Sequence, residues 1–215
     1  MTLLEGSSNE ILPRTKLLPS AIAASRRGTS PFQFASLLEQ IQRSTLQAKR
    51  LVLDRSADDL TRKLEIKSWS VSECLDHLAR TTHAFLPAIS KAVATAPKLT
   101  TNRPLRTGTI ALLLIRNLEP PYRLRYKVLP QLVPQQTDFE SAWSAFEDSQ
   151  LRLSEAIGCA TGLAIDRVEV QCPVCAHVTY NAYGAFRMLA AHQRRHLWQM
   201  EQILGALDGR RRLKA

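Results

Sequence analysis

Four stretches of the 215-residue chain place apolar residues at three-and-four spacing, the period that gives a helix one buried face. The first follows Pro31 and runs to about Leu53, with Phe34, Leu37, Leu38, Ile41, Ala48 and Val52 on its stripe. The second is the most strongly marked. Val71, Cys74, Leu75, Leu78, Thr82, Phe85, Leu86, Ile89 and Val93 follow one another without a gap, and the pattern stops before Pro97. Ser70-Val71-Ser72-Glu73 opens it with the spacing of a capping box: a hydroxyl accepts from the amide three residues on while the glutamate reaches back. Thr137-Asp138-Phe139-Glu140 has the same form and predicts a third helix along Phe139, Ala142, Trp143, Phe146, Leu153 and Ile157, with Gly158 placed to end it. The last helix is expected from about Tyr183 to Leu207, with Phe186, Ala190, Leu197, Met200 and Leu204 inward.

The connections read differently. Residues 97–136 hold six of the eleven prolines, which forbids one long helix there. A short helix is expected near Thr109–Asn117 and an extended piece from Tyr122 to Val128. Val168-Glu169-Val170-Gln171 alternates, as a short strand does. Residues 1–30 show no sustained period and read as a poorly ordered arm. Four amphipathic helices with polar connections predict an all-α four-helix bundle over residues 31–207 with a Pro-rich crossover between its second and third helices, followed by a basic tail at 208–215.

Composition narrows the function classes. With 45% hydrophobic and 22% charged residues the chain suits a folded domain. No apolar run approaches the roughly 18 residues of a membrane span, and no basic segment followed by an apolar one marks a signal peptide. A cytoplasmic, reducing setting is therefore expected for the four cysteines. The net charge of +10 is concentrated in residues 97–136 and the tail 208–215. A solvated surface accounts for it, and nucleic acid is not expected as a partner. Sequence-independent attraction of nucleic acid or anionic substrates is the rival reading.

The chemistry resides in three histidines. His192 and His196 are one helical turn apart and share a face, with Cβ atoms about 5–6 Å apart. That spacing suits two imidazoles on one divalent metal, whose bonds to nitrogen are about 2.0–2.1 Å long. His77 falls on the flank of the second helix's apolar stripe, beside the small residues Cys74, Thr81, Ala84 and Ala88, which leave room for a site. Each histidine alone has a plainer reading, as a hydrogen-bonded residue at the edge of a core. Together they offer a three-nitrogen cap with open positions. The H-E-x-x-H pattern of metalloproteases is absent, since position 193 is glutamine. No Ser-His-Asp arrangement and no Gly-rich phosphate loop is readable.

Trp69-Ser70-x-x-Glu73-x-x-x-His77-Leu78, followed by Ala190-Ala191-His192-x-x-Arg195-His196-Leu197-Trp198-Gln199, resembles the DinB-like superfamily of small metal-binding proteins. Pro120-Pro121-Tyr122-Arg123 and Phe186-Arg187-x-Leu189 fit the same pattern, and the resemblance covers about residues 32–207. It implies an up-down-down-up four-helix bundle, often dimeric, with a His₃ metal site that maps onto His77, His192 and His196. Zinc, nickel, iron and manganese are all associated with such sites. Better-understood relatives are transferases or isomerases that use a low-molecular-weight thiol. The expectation is a metal-dependent enzyme acting on a small molecule by thiol-dependent transfer, isomerisation or hydrolysis. The alternative is a non-catalytic metal-binding or protein-interaction bundle.

Three further features bear on that expectation. Glu73, one turn before His77, is a candidate acceptor behind the metal or a general base, with helix capping as its plainer role. Arg195 is a candidate for catalysis or for orienting substrate, with a structural hydrogen bond as the plainer reading. Cys172-Pro173-Val174-Cys175-Ala176-His177 is no part of the resemblance. It looks like half of a zinc knuckle, so Cys172, Cys175 and His177 are candidates for a second metal site, with Cys159 as a possible fourth ligand; a redox-active pair or ordinary thiols are the other readings.

Overall fold

A computed structural model describes residues 30–121, 127–135, 138–175 and 177–213. The arm at 1–29 and most of the extended piece expected at Tyr122 to Val128 lie outside the described residues. The chain is mostly helical. Four long helices, α1 (Ser30–Val52), α3 (Val71–Ala94), α5 (Phe139–Ala160) and α6 (Ala182–Arg212), are joined by shorter pieces. These are α2 (Ala57–Thr61), α4 (Thr109–Leu118), a 3-10 turn at Pro130–Leu132, and a hairpin of two short antiparallel strands, β1 (Glu169–Gln171) and β2 (Thr179–Asn181). No described helix is long and apolar enough to cross a membrane.

The apolar stripes fix the packing. α3 lies against α5 and α6, and α1 against the same two helices, so each stripe meets two others. Phe34, Leu37 and Ile41 of α1 join Phe85, Ile89, Leu153, Ile157 and Phe186 in one core cluster. Val71, Leu75, Leu78, Phe146, Leu197, Met200 and Leu204 form a second. Among the polar residues buried in the bundle are Gln150 of α5 and Gln193 of α6, whose side chains bond at 3.1 Å. At one end, the segment after α3 pairs with the segment after α5: Leu99 N donates to the Gly162 carbonyl at 2.9 Å and Ala164 N to the Pro97 carbonyl at 2.8 Å. Gln33, near the start of α1, donates to the Leu105 carbonyl at 3.0 Å, and Asn181, which precedes α6, to the Arg106 carbonyl at 2.8 Å.

The box at Ser70 forms as expected. Its hydroxyl accepts from Glu73 N at 3.2 Å, and the Glu73 carboxylate accepts from Ser70 N at 2.9 Å. The second box is described only from Asp138 onward. Thr137 lies outside the described residues, and Asp138 caps α5 by accepting from Ser141 N at 2.8 Å. A carboxylate is as good an N-cap as a hydroxyl, so the start moves by one residue. Gly158 does not end α5 either; it sits inside the helix, which runs to Ala160, and the chain turns at Gly162, where φ is +83°. The last helix starts at Ala182 and continues past Leu207 to Arg212. The extra turn is held by side chains: Asp208 receives Arg55 at 2.6 and 2.9 Å, and Arg211 pairs with the buried Asp59. A charge pattern that reads as a solvated tail is here the anchor of the helix end.

Candidate metal centre

The N-terminal half of α3 and the middle of α6 bring His77, His192 and His196 together. One nitrogen from each lies within 4.8 Å of the others. His77 Nε2 and His192 Nε2 are 3.2 Å apart, and the ring centroids are separated by 4.6 to 5.1 Å. His77 and His196 are buried, while His192 retains partial exposure.

The outer nitrogens fix the tautomers. Nδ1–H of His77 donates to the Leu132 carbonyl at 2.7 Å, and Nδ1–H of His196 donates to Gln199 Oε1 at 3.0 Å. A neutral imidazole that donates from Nδ1 keeps its lone pair on Nε2. An oxygen behind each ring orients it, as in histidine metal sites generally. The His77 lone pair accepts Nε2–H of His192 at 3.2 Å, a proton that a metal would displace. The Leu132 carbonyl is itself held in place. Asp76, the residue before His77, accepts from Gln135 N at 2.6 Å. Arg80, three residues after His77, donates to the Gln131 carbonyl at 3.1 Å and to Gln135 Oε1 at 3.2 Å. The Pro-rich crossover thus supplies part of the site, gripped on both sides of the histidine it supports.

Electrostatics keep the imidazoles neutral. Burial pushes His77 below the ordinary imidazole value, partly offset by the Leu132 carbonyl and Asp76. Burial pushes His192 well below it, helped by His77 and the Arg195 guanidinium. His196 lies well below it for the same reason, with His192, His77 and Arg195 adding to the effect. Protein therefore surrounds His192 closely, although its side chain retains an opening to solvent. A neutral ring is the form that binds metal. Trp69 covers one side, its ring 4.7 Å from that of His77 and stacked on His196 at 5.7 Å.

The donor set fits a divalent metal of the borderline class: three neutral nitrogens, two with fixed tautomers, in a partly enclosed space. Two bonds of about 2.1 Å at a tetrahedral angle place their nitrogens about 3.4 Å apart, so the His77–His192 pair already fits, and the widest spacing in the set needs about 1.4 Å of closure.

The family comparison agrees with this centre. The model of the DinB superfamily matches residues 37–200, about three quarters of the chain, and takes in all three histidines. The chain belongs to the DinB superfamily. No curated protein and no solved structure matches it significantly.

The other residues singled out in the sequence are placed as follows. Glu73 has both carboxylate oxygens engaged, one with Ser70 N at 2.9 Å and one with Lys63 Nζ at 2.7 Å. Arg195 is buried, donates to the Asn117 carbonyl at 3.3 Å, and is close enough for its charge to act on all three imidazoles. Cys172, Cys175 and His177 occupy the turn of the β1–β2 hairpin, with Cys172 buried and the other two exposed. The structure does not gather them, with or without Cys159, into a ligand cluster; among the described residues the histidine triad is the one group of three or more such side chains that converges. Trp69 and the Leu132 carbonyl were not foreseen as parts of the site. Trp69 is adjacent to the N-cap of α3, a position that gave some signal. A backbone carbonyl in a proline-rich segment gives none.

Proposed function

We propose that this DinB-superfamily protein is a metal-dependent enzyme acting on a small molecule, with His77, His192 and His196 holding one divalent ion. The observation that carries this reading is the convergence of one nitrogen from each ring to within 4.8 Å of the others, with Nδ1–H of His77 and of His196 engaged by the Leu132 carbonyl and Gln199. The metal would be zinc, nickel, iron or manganese, and when bound it supplies Lewis acidity to a thiol or water beside it. The chain's own residues do the rest. Burial holds the three rings neutral and ready to ligate. Trp69 limits water on one side. Arg195 contributes a positive charge that favours an anionic group, such as a thiolate or carboxylate, at the open side. Thiol-dependent transfer or isomerisation is the preferred chemistry, and hydrolysis the other.

The end-to-end pairing of the segments after α3 and α5, with the starts of α1 and α6 at that same end, supports an up-down-down-up bundle. A homodimer in the cytoplasm completes the proposal. One observation favours the rival, a non-catalytic metal-binding bundle: Glu73 is occupied by its cap and by Lys63, so a general base at that position would have to break both contacts.

Elemental analysis of the purified protein tests the reading, with His77→Ala and His196→Ala alongside. About one divalent ion per chain is expected in the wild type, with severe loss in each variant. A wild-type protein without metal, or full occupancy in both variants, overturns the proposal. A screen for thiol consumption in the presence of electrophiles then separates transferase chemistry from simple metal binding.

A further inference from the structure

Cys172-Pro173-Val174-Cys175 forms the turn of the β1–β2 hairpin, just before α6, and plays no part in the reading above. Its geometry follows from a few local facts. Cys175 N donates to the Cys172 carbonyl at 3.3 Å, so the four residues form a hydrogen-bonded β-turn with the cysteines at its first and last positions. Val174 has no positive φ, and proline occupies the second position, as a type I turn prefers. Such a turn brings its end Cα atoms to within about 7 Å, and a disulfide spans about 4.4–6.8 Å. The turn is clamped from outside. Cys172 N donates to the Val178 carbonyl at 2.8 Å, Val178 N donates to the Cys175 carbonyl at 2.9 Å, and Val170 pairs with Tyr180 in the ladder.

The two sulfurs differ in access. Cys172 is 7% exposed, whereas Cys175 is open to solvent. The Tyr180 hydroxyl is buried, forms no hydrogen bond of ordinary geometry, and is near enough to Cys172 and Cys175 for charge on either sulfur to act on it. Burial pushes this phenol far above its usual range, so it remains protonated and keeps an O–H to donate. An orphaned donor against a buried sulfur is costly unless an acceptor forms there, and a thiolate is a far better acceptor than a thiol.

We propose that Cys172 and Cys175 are a thiol–disulfide exchange site whose oxidant is a small-molecule disulfide. The Cys175 thiolate attacks one sulfur of R–S–S–R. That S–S bond breaks, a Cys175–S–S–R bond forms, and RS⁻ leaves and takes up the proton that Cys175 lost. Cys172 then gives up its proton and attacks the Cys175 sulfur, with the Tyr180 hydroxyl donating to its developing charge. The second RS⁻ leaves with that proton. Two cysteine thiols are oxidised by two electrons, and one small-molecule disulfide is reduced to two thiols. A metal is the weaker occupant, because two thiolates need further ligands and His177 does not converge with them.

The test uses the full chain carrying Cys159→Ser, which removes the other exposed thiol; Cys74 is fully buried and unreactive. Oxidised glutathione is the probe. Thiols counted in denaturant are expected to fall from three to one, with peptide mapping placing the bond between Cys172 and Cys175. Adding Cys172→Ser should trap one glutathione on Cys175. Adding Cys175→Ser should leave both remaining thiols free and the chain unmodified. Three thiols surviving the oxidant overturns the proposal, as does a disulfide between two chains. So does a stoichiometric metal that is lost with Cys175→Ser and retained by histidine variants. Both cysteine variants are read against the circular dichroism of the parent protein, so that a folding defect is recognised as such.

Discussion

Stripping the protein of metal and lowering the pH tests the electrostatic account of the triad directly. His192 and His196 are held well below the ordinary imidazole value, and His77 is held below it to a lesser degree. In the unfolded chain each titrates near pH 6.5. Between that value and the lower folded one the unfolded state binds more protons, so stability falls as the pH falls. The contribution is complete above about pH 7 and is lost on descending from about 6.5 toward the folded value. Going from about pH 7.5 to about 5.5 costs roughly 1.4 kcal/mol for each ring that stays neutral in the fold, hence about 3 kcal/mol for His192 and His196 together. His77 adds a smaller amount. Set against a typical total stability of about 5–15 kcal/mol, this loss is easily measured. The assay is urea unfolding in chelator at several pH values, comparing the wild type with a variant carrying alanine at all three positions. The quantity compared is the slope against pH, so a change in absolute stability does not matter. His83 and His177 are present in both proteins and cancel. Equal slopes in the two proteins, or a wild-type loss below about 1 kcal/mol beyond that of the variant, would refute the claim that burial keeps these rings neutral.

Three further outcomes are expected. Gln199→Leu removes the acceptor behind His196 and should weaken metal binding by about 10- to 100-fold in a competition titration, with little change in circular dichroism; unchanged affinity would dismiss Gln199 as a support. Gly184→Ala places a Cβ 2.6 Å from that of Ala111 and 2.7 Å from the Thr107 carbonyl, so unfolding should show a loss of about 1–3 kcal/mol, whereas Gly205→Ala, with nothing within 4 Å, should gain about 0.5–1 kcal/mol. Ser70→Ala removes one half of the capping box of α3 and should cost about 1 kcal/mol, with amide exchange speeding up first in the turn that leads to His77.

Much of the framework was legible because local rules govern it. The stripe from Val71 to Val93 and the box at Ser70 are short-range signals, and α3 has the predicted start. The short helix at Thr109–Leu118 and the strand at Glu169–Gln171 also follow from local pattern. Where two residues compete for one local role, the sequence was less decisive: Asp138 caps α5 beside Thr137, and Gly158 stays helical while Gly162 makes the turn. The matching strand Thr179–Asn181 declares itself only through its residue-for-residue pairing with Glu169–Gln171.

The candidate site divides in the same way. One-turn spacing puts His192 and His196 on one face of one helix whatever surrounds them, and motif order links them to His77. What supports them depends on contacts distant in sequence. The Leu132 carbonyl reaches His77 across 55 residues because Asp76 and Arg80 hold the crossover against α3. The neutrality of the rings comes from burial by several elements at once. The last turn of α6 persists because Asp59 and Arg55 are positioned to receive Arg211 and Asp208, a pairing invisible in a run of basic residues. By itself the sequence determined the four long helices, their inward faces and which three histidines could converge, since periodicity and side-chain chemistry are local. Tertiary structure decided which nitrogens face inward, what charge they carry and where the chain's end is held, since hydrogen-bond partners and desolvation belong to the packed assembly.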